Sequence, residues 1–159
     1  MDVLTPKGQR SRWHEDRAVK IWLHHFPTYS YVETPKDKPA VVDAVLSVNN
    51  SIKAVVETKC RNITLFDLQG KLNNEWLMTH DKMIKGSEIA SALSVPFIGF
   101  LYLIQDEILM YQKLWEPEAG WVCSMAIRPS WTQATINGGK ALRSNAFIDM
   151  SKATQLRKG

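Results

Sequence analysis

The sequence predicts an α/β fold in which a mixed central sheet is covered by helices, in the order helix, three strands, helix, strands. Three observations carry that expectation. Ala18, Ile21, Trp22 and Phe26 recur at helical spacing near the N-terminus. Two β-branched runs, 39–48 and 52–59, are joined by Asn49, Asn50 and Ser51, residue types that favour tight turns. A long stretch with helical spacing then separates this hairpin from a second pair of apolar runs, a connection long enough to join parallel strands.

The first helix is expected from Ser11 to about His25, with its apolar stripe buried. Tyr29 to Glu33 alternates like a short strand, ended by Pro35 and the charged turn Lys36-Asp37-Lys38. The hairpin follows. If its turn centres on Asn50, Asp43 faces Glu57 across the ribbon and the two project from one face. Lys59, two residues past Glu57, shares that face because strand side chains repeat their direction every second residue. Beyond it, Thr64 and Asp67 form an approximate capping box. Leu65, Leu68, Leu72, Trp76 and Met83 predict one long helix, interrupted at Gly86 and followed by a short helix from Glu88 to Ser94 that Ser87 caps. Pro96 ends the helical pattern. Phe97 to Ile104 and Ile108 to Leu114 read as a second hairpin across Gln105-Asp106-Glu107. Asn137-Gly138-Gly139-Lys140 reads as a turn before a final helix, Ala141 to Met150.

Composition bounds the function. The chain has 159 residues, a length that predicts one domain over 1–159 with a buried core. Its longest apolar run, Val95 to Leu103, is too short to span a membrane, and Met1 to Arg12 lacks a signal-peptide core. The two cysteines, Cys60 and Cys123, show neither zinc-ligand nor disulfide spacing, so a reduced, cytoplasmic setting is expected. No Gly-rich phosphate loop, nucleophile elbow or metal-spaced histidine set occurs. Residues 121–159 hold Arg128, Lys140, Arg143, Lys152, Arg157 and Lys158 against Asp149, a net +5, whereas the whole chain is +4 and the remainder therefore −1. A basic C-terminal segment beside an acidic site suits a protein that grips a polyanion, although basic tails also serve simply as solvated surface. Trp115, Trp121 and Trp131 lie near that segment, where packing or stacking on unpaired bases would use them.

Asp43, Glu57 and Lys59 are the chemically informative residues. Charges among apolar residues are costly unless paired or metal-bound. Two carboxylates sharing one spot repel each other, and a hard divalent cation such as Mg²⁺ relieves the repulsion while keeping waters of its own. A neighbouring lysine can orient or deprotonate a water, or neutralise a phosphate. The alternative for the same residues is a solvated salt-bridge patch on an exposed face.

Asp43, Glu57, Thr58 and Lys59 resemble the site motif of the PD-(D/E)XK nuclease superfamily, with Val42 standing where the name has proline. The order of elements is similar over roughly residues 11–115. The resemblance implies a restriction-endonuclease-like core and a metal-dependent nuclease acting on DNA, as endonuclease, resolvase or exonuclease. It implies Mg²⁺, with Mn²⁺ as substitute, held by Asp43, Glu57 and the Thr58 carbonyl, and Lys59 as the catalytic lysine. Glu15 matches the acid that many members carry on the preceding helix, although with Asp16 it also suits the positive end of a helix. Gln69 corresponds to a glutamine found after the lysine in some families, with Asn73 where they have tyrosine; a solvent-facing stripe with His80 is the other reading. Lys71, Lys82 and Lys85 would meet phosphates or water, and Lys140 and Arg143 would contact the nucleic-acid backbone. Many similar enzymes act as homodimers. The competing functions are a non-catalytic nucleic-acid-binding module on the same fold and an RNA-directed nuclease.

Overall fold

The β-branched runs pair around one long strand in the computed structural model, which describes residues 6–34, 42–134 and 140–158. The elements run α1 (Pro6–His25), β1 (Ser30–Glu33), β2 (Ala44–Val48), β3 (Ser51–Arg61), α2 (Leu65–Gln69), β4 (Glu75–Thr79) and α3 (His80–Leu93). They continue with β5 (Phe97–Leu103), β6 (Ile108–Glu116), β7 (Gly120–Trp121), β8 (Met125–Ala134), β9 (Lys140–Asp149) and β10 (Thr154–Arg157). Among the described residues, one sheet has the order β1-β2-β3-β5-β6-β10 with β7 added to β6, and a second has the order β4-β9-β8. The larger sheet is mixed: β3 and β5 are parallel, as the long crossover requires, and its other pairs are antiparallel. The α/β class, the mixed central sheet and the helical flanks expected from the sequence are therefore present.

Alternation along the central strands divides the core in two. Val55, Phe97, Leu101 and Leu103 face one side, where they meet Met83 and Ala90 of α3 and Trp76, Met78, Ala146 and Ile148 of the smaller sheet. Ala54, Val56, Phe100 and Tyr102 face the other side, against Ala18, Ile21 and Trp22 of α1. The predicted stripe on α1 thus does bury, with Phe26, Tyr29 and Tyr111 gathered edge-on or tilted around Trp22. None of the helices among the described residues is long and apolar enough to cross a membrane.

The hairpin register is reached by an unexpected route. Asn49 and Asn50 have φ of 51° and 65°, so the turn centres between them and has the primed form that matches strand twist. It pairs Val48 with Ser51 and Ser47 with Ile52. A bulge at Lys53 then shifts the count by one, giving Leu46–Ala54, Val45–Val55 and Ala44–Val56. Continued one step, the latter register sets Asp43 against Glu57.

Three helical expectations are corrected. Leu65 to Met83 is not one helix: α2 lasts five residues, and Asn73 and Asn74, at φ of 53° and 61°, turn the chain into β4. Trp76 and Met78 are buried on alternate positions of that strand. Gly86, far from interrupting the helix, lies inside α3, where the Phe97 ring occupies the space of a Cβ. Ser87 accordingly sits within α3, donating to the Ile84 carbonyl, and caps nothing. The segment expected as a final helix, Ala141 to Met150, is instead strand β9 as far as Asp149, because its neighbours on both sides are strands. Arg143 is therefore an exposed strand residue, and Lys140 opens the strand. The Asn137-Gly138-Gly139 turn, the turn Lys36-Asp37-Lys38 and the start of the first predicted run, 39–41, lie outside the described residues. Trp115 and Trp121 pair across β6 and β7 and pack on the core. The Trp131 side chain is likewise outside the description.

Candidate active site

The site is built where β2 ends beside the middle of β3. Thr34 holds the bend before β2: its hydroxyl lies 2.8 and 2.9 Å from the carbonyls of Val42 and Asp43, and its N–H donates to the Asp43 carbonyl at 3.0 Å. The Asp43 N–H in turn donates to Val56 at 3.2 Å. With the backbone so fixed, Asp43 Oδ2 accepts from the Thr58 N–H at 2.7 Å, capping β3 where β2 has run out. The N–H and C=O of one strand residue point toward the same neighbour, so the Thr58 carbonyl lies on the Asp43 side as well. The Thr58 hydroxyl points to the opposite face and meets the Tyr31 hydroxyl at 3.1 Å.

Glu57 and Lys59 share the face of Val55, which is the α3 side. Glu57 is 1% exposed, so the surface salt-bridge reading does not describe it. Burial, then the charge of Asp43, pushes its carboxyl up to about 7, with Lys82 and Lys59 pulling the other way. The same burial, reinforced by the Lys82 charge, lowers the Lys59 ammonium and brings it nearer to giving up its proton. Asp43, Glu57 and Lys59 thus lie within electrostatic reach of one another. A fourth group joins them from α3: Lys82 Nζ donates to Glu57 Oε1 at 2.7 Å. Burial pulls the Lys82 ammonium down, but its bond and attraction to Glu57 outweigh this and the net shift is upward.

Lys82 is the residue whose role the sequence concealed. It was grouped with Lys71 and Lys85 as a contact for phosphate or water. The available signal was its place next to Met83, which turns into the core and brings position 82 to the helix flank nearest β3. Lys71 instead lies in the turn after α2, and Lys85 pairs with Asp81 on the exposed side of α3.

Glu15 lies on α1, across the sheet from Lys82. Its charge and that of Asp43 both act on the Tyr31 hydroxyl and the Cys60 thiol, so the two acids reach a common pair of groups. Cys60 turns toward α1, where burial pushes its thiol up to about 12. Gln69 is exposed at the end of α2, and His80 opens α3, so the polar stripe drawn through them does not lie on one helix. The capping box of Thr64 and Asp67 is present, with bonds of 3.0 and 3.4 Å.

The donor set has a definite chemical preference. Among the described residues no three His, Cys, Asp or Glu side chains are grouped to hold a metal. Two carboxylates with one backbone carbonyl make an all-oxygen set too small to enclose an ion, which suits Mg²⁺ and its retained waters rather than zinc. From Lys59 the same face of β3 leads to Arg61 and a cleft of about 380 Å³, walled by Leu68, Trp76, Leu101 and Phe147 with Lys71 at its edge.

No family model matches the chain, and no curated protein matches it. Among solved structures, Hjc, a Holliday junction resolvase from the archaeal hyperthermophile Archaeoglobus fulgidus, is similar at 13% identity and a TM-score of 0.45. The match covers 65% of this chain and 74% of that one.

Proposed function

We propose that this chain is a divalent-metal-dependent nuclease that hydrolyses phosphodiester bonds in DNA. One observation carries the reading: a buried carboxylate, Glu57, lies with Asp43 and Lys59 on the inner side of a central strand, together with a second lysine. A scaffold has no use for such a cluster, because ionised groups taken out of water cost several kcal/mol each unless fully compensated, about the whole margin of a fold.

Asp43, Glu57 and the Thr58 carbonyl would hold Mg²⁺, with Mn²⁺ as substitute. When bound, the cation supplies the positive charge that offsets the extra negative charge on phosphorus-bound oxygen during the reaction. Lys59 orients the attacking water through its ammonium and meets the charge that develops on phosphorus-bound oxygen, while the water's proton passes to solvent. The water oxygen bonds to phosphorus in line as the opposite P–O ester bond breaks. Thr58 keeps Asp43 in place through its N–H, so the first carboxylate cannot swing away from the second. Glu15 would complete a second-cation position, and Gln69 would border the site. Arg61 and Lys71 would follow the backbone along the cleft, with Lys140 and Arg143 meeting it farther out.

The test is incubation with linear, circular, single-stranded and branched DNA, and with RNA, in the presence and absence of Mg²⁺. Metal-dependent cleavage of DNA is expected, falling by about 10²-fold or more in Asp43→Asn and in Lys59→Ala while circular dichroism stays native. Full activity in Lys59→Ala overturns the mechanism. A metal-dependent rise in melting temperature that Asp43→Asn abolishes, without cleavage of any substrate, would identify a binding module instead.

A further inference from the structure

Lys82 is not needed to position water or to hold a cation in the scheme above, yet it makes a direct charged contact with one of the two carboxylates. Its Nζ lies 2.7 Å from Glu57 Oε1, on the atom a cation would need. The Glu57 side chain is 2% exposed and cannot turn to water, whereas the Lys82 side chain is 38% exposed. Lys59 stands on the same strand as Glu57. Lys82 stands on a helix anchored independently through Met83 and Ala90, so its four-carbon stem can leave without disturbing the core.

Formal charge leads to the same place. Asp43 and Glu57 balance Lys59 and Lys82, and the cluster is neutral without any cation. A dication added to all four would leave two positive charges in largely apolar surroundings. With Lys82 released, the dication and Lys59 exceed the carboxylates by one, which a single phosphodiester cancels.

We propose that Lys82 is the resident counter-ion of the site: its ammonium stands in for the cation on Glu57, is displaced when the cation binds, and then pairs with a substrate phosphate. This rests on the nuclease reading and adds to it an exchange step that ties metal entry to substrate capture. Lys82 thus contacts substrate only after the cation has replaced it on Glu57. The exchange also explains how a carboxylate as buried as Glu57 is tolerated before metal arrives, since a buried charge stripped of its partner is strongly destabilising.

Two measurements on the full chain test it, both at mildly alkaline pH so that protons do not compete. The first is Mn²⁺ affinity by titration calorimetry in the wild type, Lys82→Met and Lys82→Gln; the glutamine retains a donor for Glu57 Oε1 without charge. Both variants should bind Mn²⁺ about tenfold more tightly, a change of about 1.4 kcal/mol. The second is NMR of the lysine ammonium groups during Mg²⁺ titration. The Lys82 signal, identified by its loss in Lys82→Gln, should be protected at the start and lose that protection with the binding midpoint, while Lys59 keeps its own. Unchanged or weaker Mn²⁺ binding in the variants, or a Lys82 ammonium still held at saturating Mg²⁺, overturns the exchange alone. Failure of Mn²⁺ to bind wild type and variants alike overturns the nuclease reading beneath it.

Discussion

Glu57 concentrates the electrostatics of this molecule in one side chain. Its carboxyl rises from the ordinary 4.5 to about 7, first through burial and then through repulsion from Asp43. In the unfolded chain it titrates at its ordinary value, so between these two pH values the folded protein holds a proton that the unfolded chain has lost. The stability this group contributes is thus fully present at low pH and is lost as pH rises through about 7, a change of at most about 3 kcal/mol. Glu57→Gln, neutral throughout, should lack that dependence. Thermal melts of both proteins between about pH 5 and pH 8 should show the wild type losing ground to the variant as pH rises. A wild type that gains instead would mean that the lysines, not burial, govern the carboxyl. Saturating Mg²⁺ should erase the loss by binding the ionised carboxylate of the folded protein.

Gly86 makes a similar case for elements. In an open helix, replacing glycine by alanine gains up to about 1 kcal/mol. Here a Cβ would stand 2.4 Å from the Phe97 ring, which is fully buried against α3. Gly86→Ala should therefore destabilise by about 1–3 kcal/mol in urea unfolding, because the ring has nowhere to retreat. The same contact explains why the sequence misled at this point: a glycine in a helical pattern suggests a break, and the reason it is tolerated sits on β5. Other features are written locally. The α1 stripe, the Asn-Asn hairpin, the capping box at Thr64 and the β5–β6 hairpin all carry their signal within a few residues. So do Asp43, Glu57 and Lys59, which the pairing of β2 with β3 brings together. Strand β4 has no local trace because it exists by pairing with β9, far along the chain. Lys82 was missed for the same reason: its meaning lies in Glu57, on another element.

At the scale of the whole molecule, the two sheets are joined through apolar side chains, and Trp76 is the largest of them. It belongs to β4, is 2% exposed, and lays its ring over Gly99, the neighbour of Glu57 on β5. Trp76→Ala should cost about 3–5 kcal/mol in chemical denaturation. If the smaller sheet instead only leaned against the larger, the loss would be under about 1 kcal/mol. The basic C-terminal segment is less uniform than its composition suggested, since Arg128 pairs with Glu75 and Lys158 lies near Glu107, while Arg143 stays exposed on β9. The position of β3 has a further consequence. It is covered on both faces and has hydrogen-bonded neighbours on both edges, β2 and β5. Amide deuteration should accordingly be slowest at Val55 and Val56, and far faster in β1 and β10, which close the sheet at its margins. Partial openings at β10 would leave Glu57 and Lys59 standing, whereas fraying of β1 would release Thr34 and with it the backbone of Asp43, so Mn²⁺ binding should weaken on heating before the global melt.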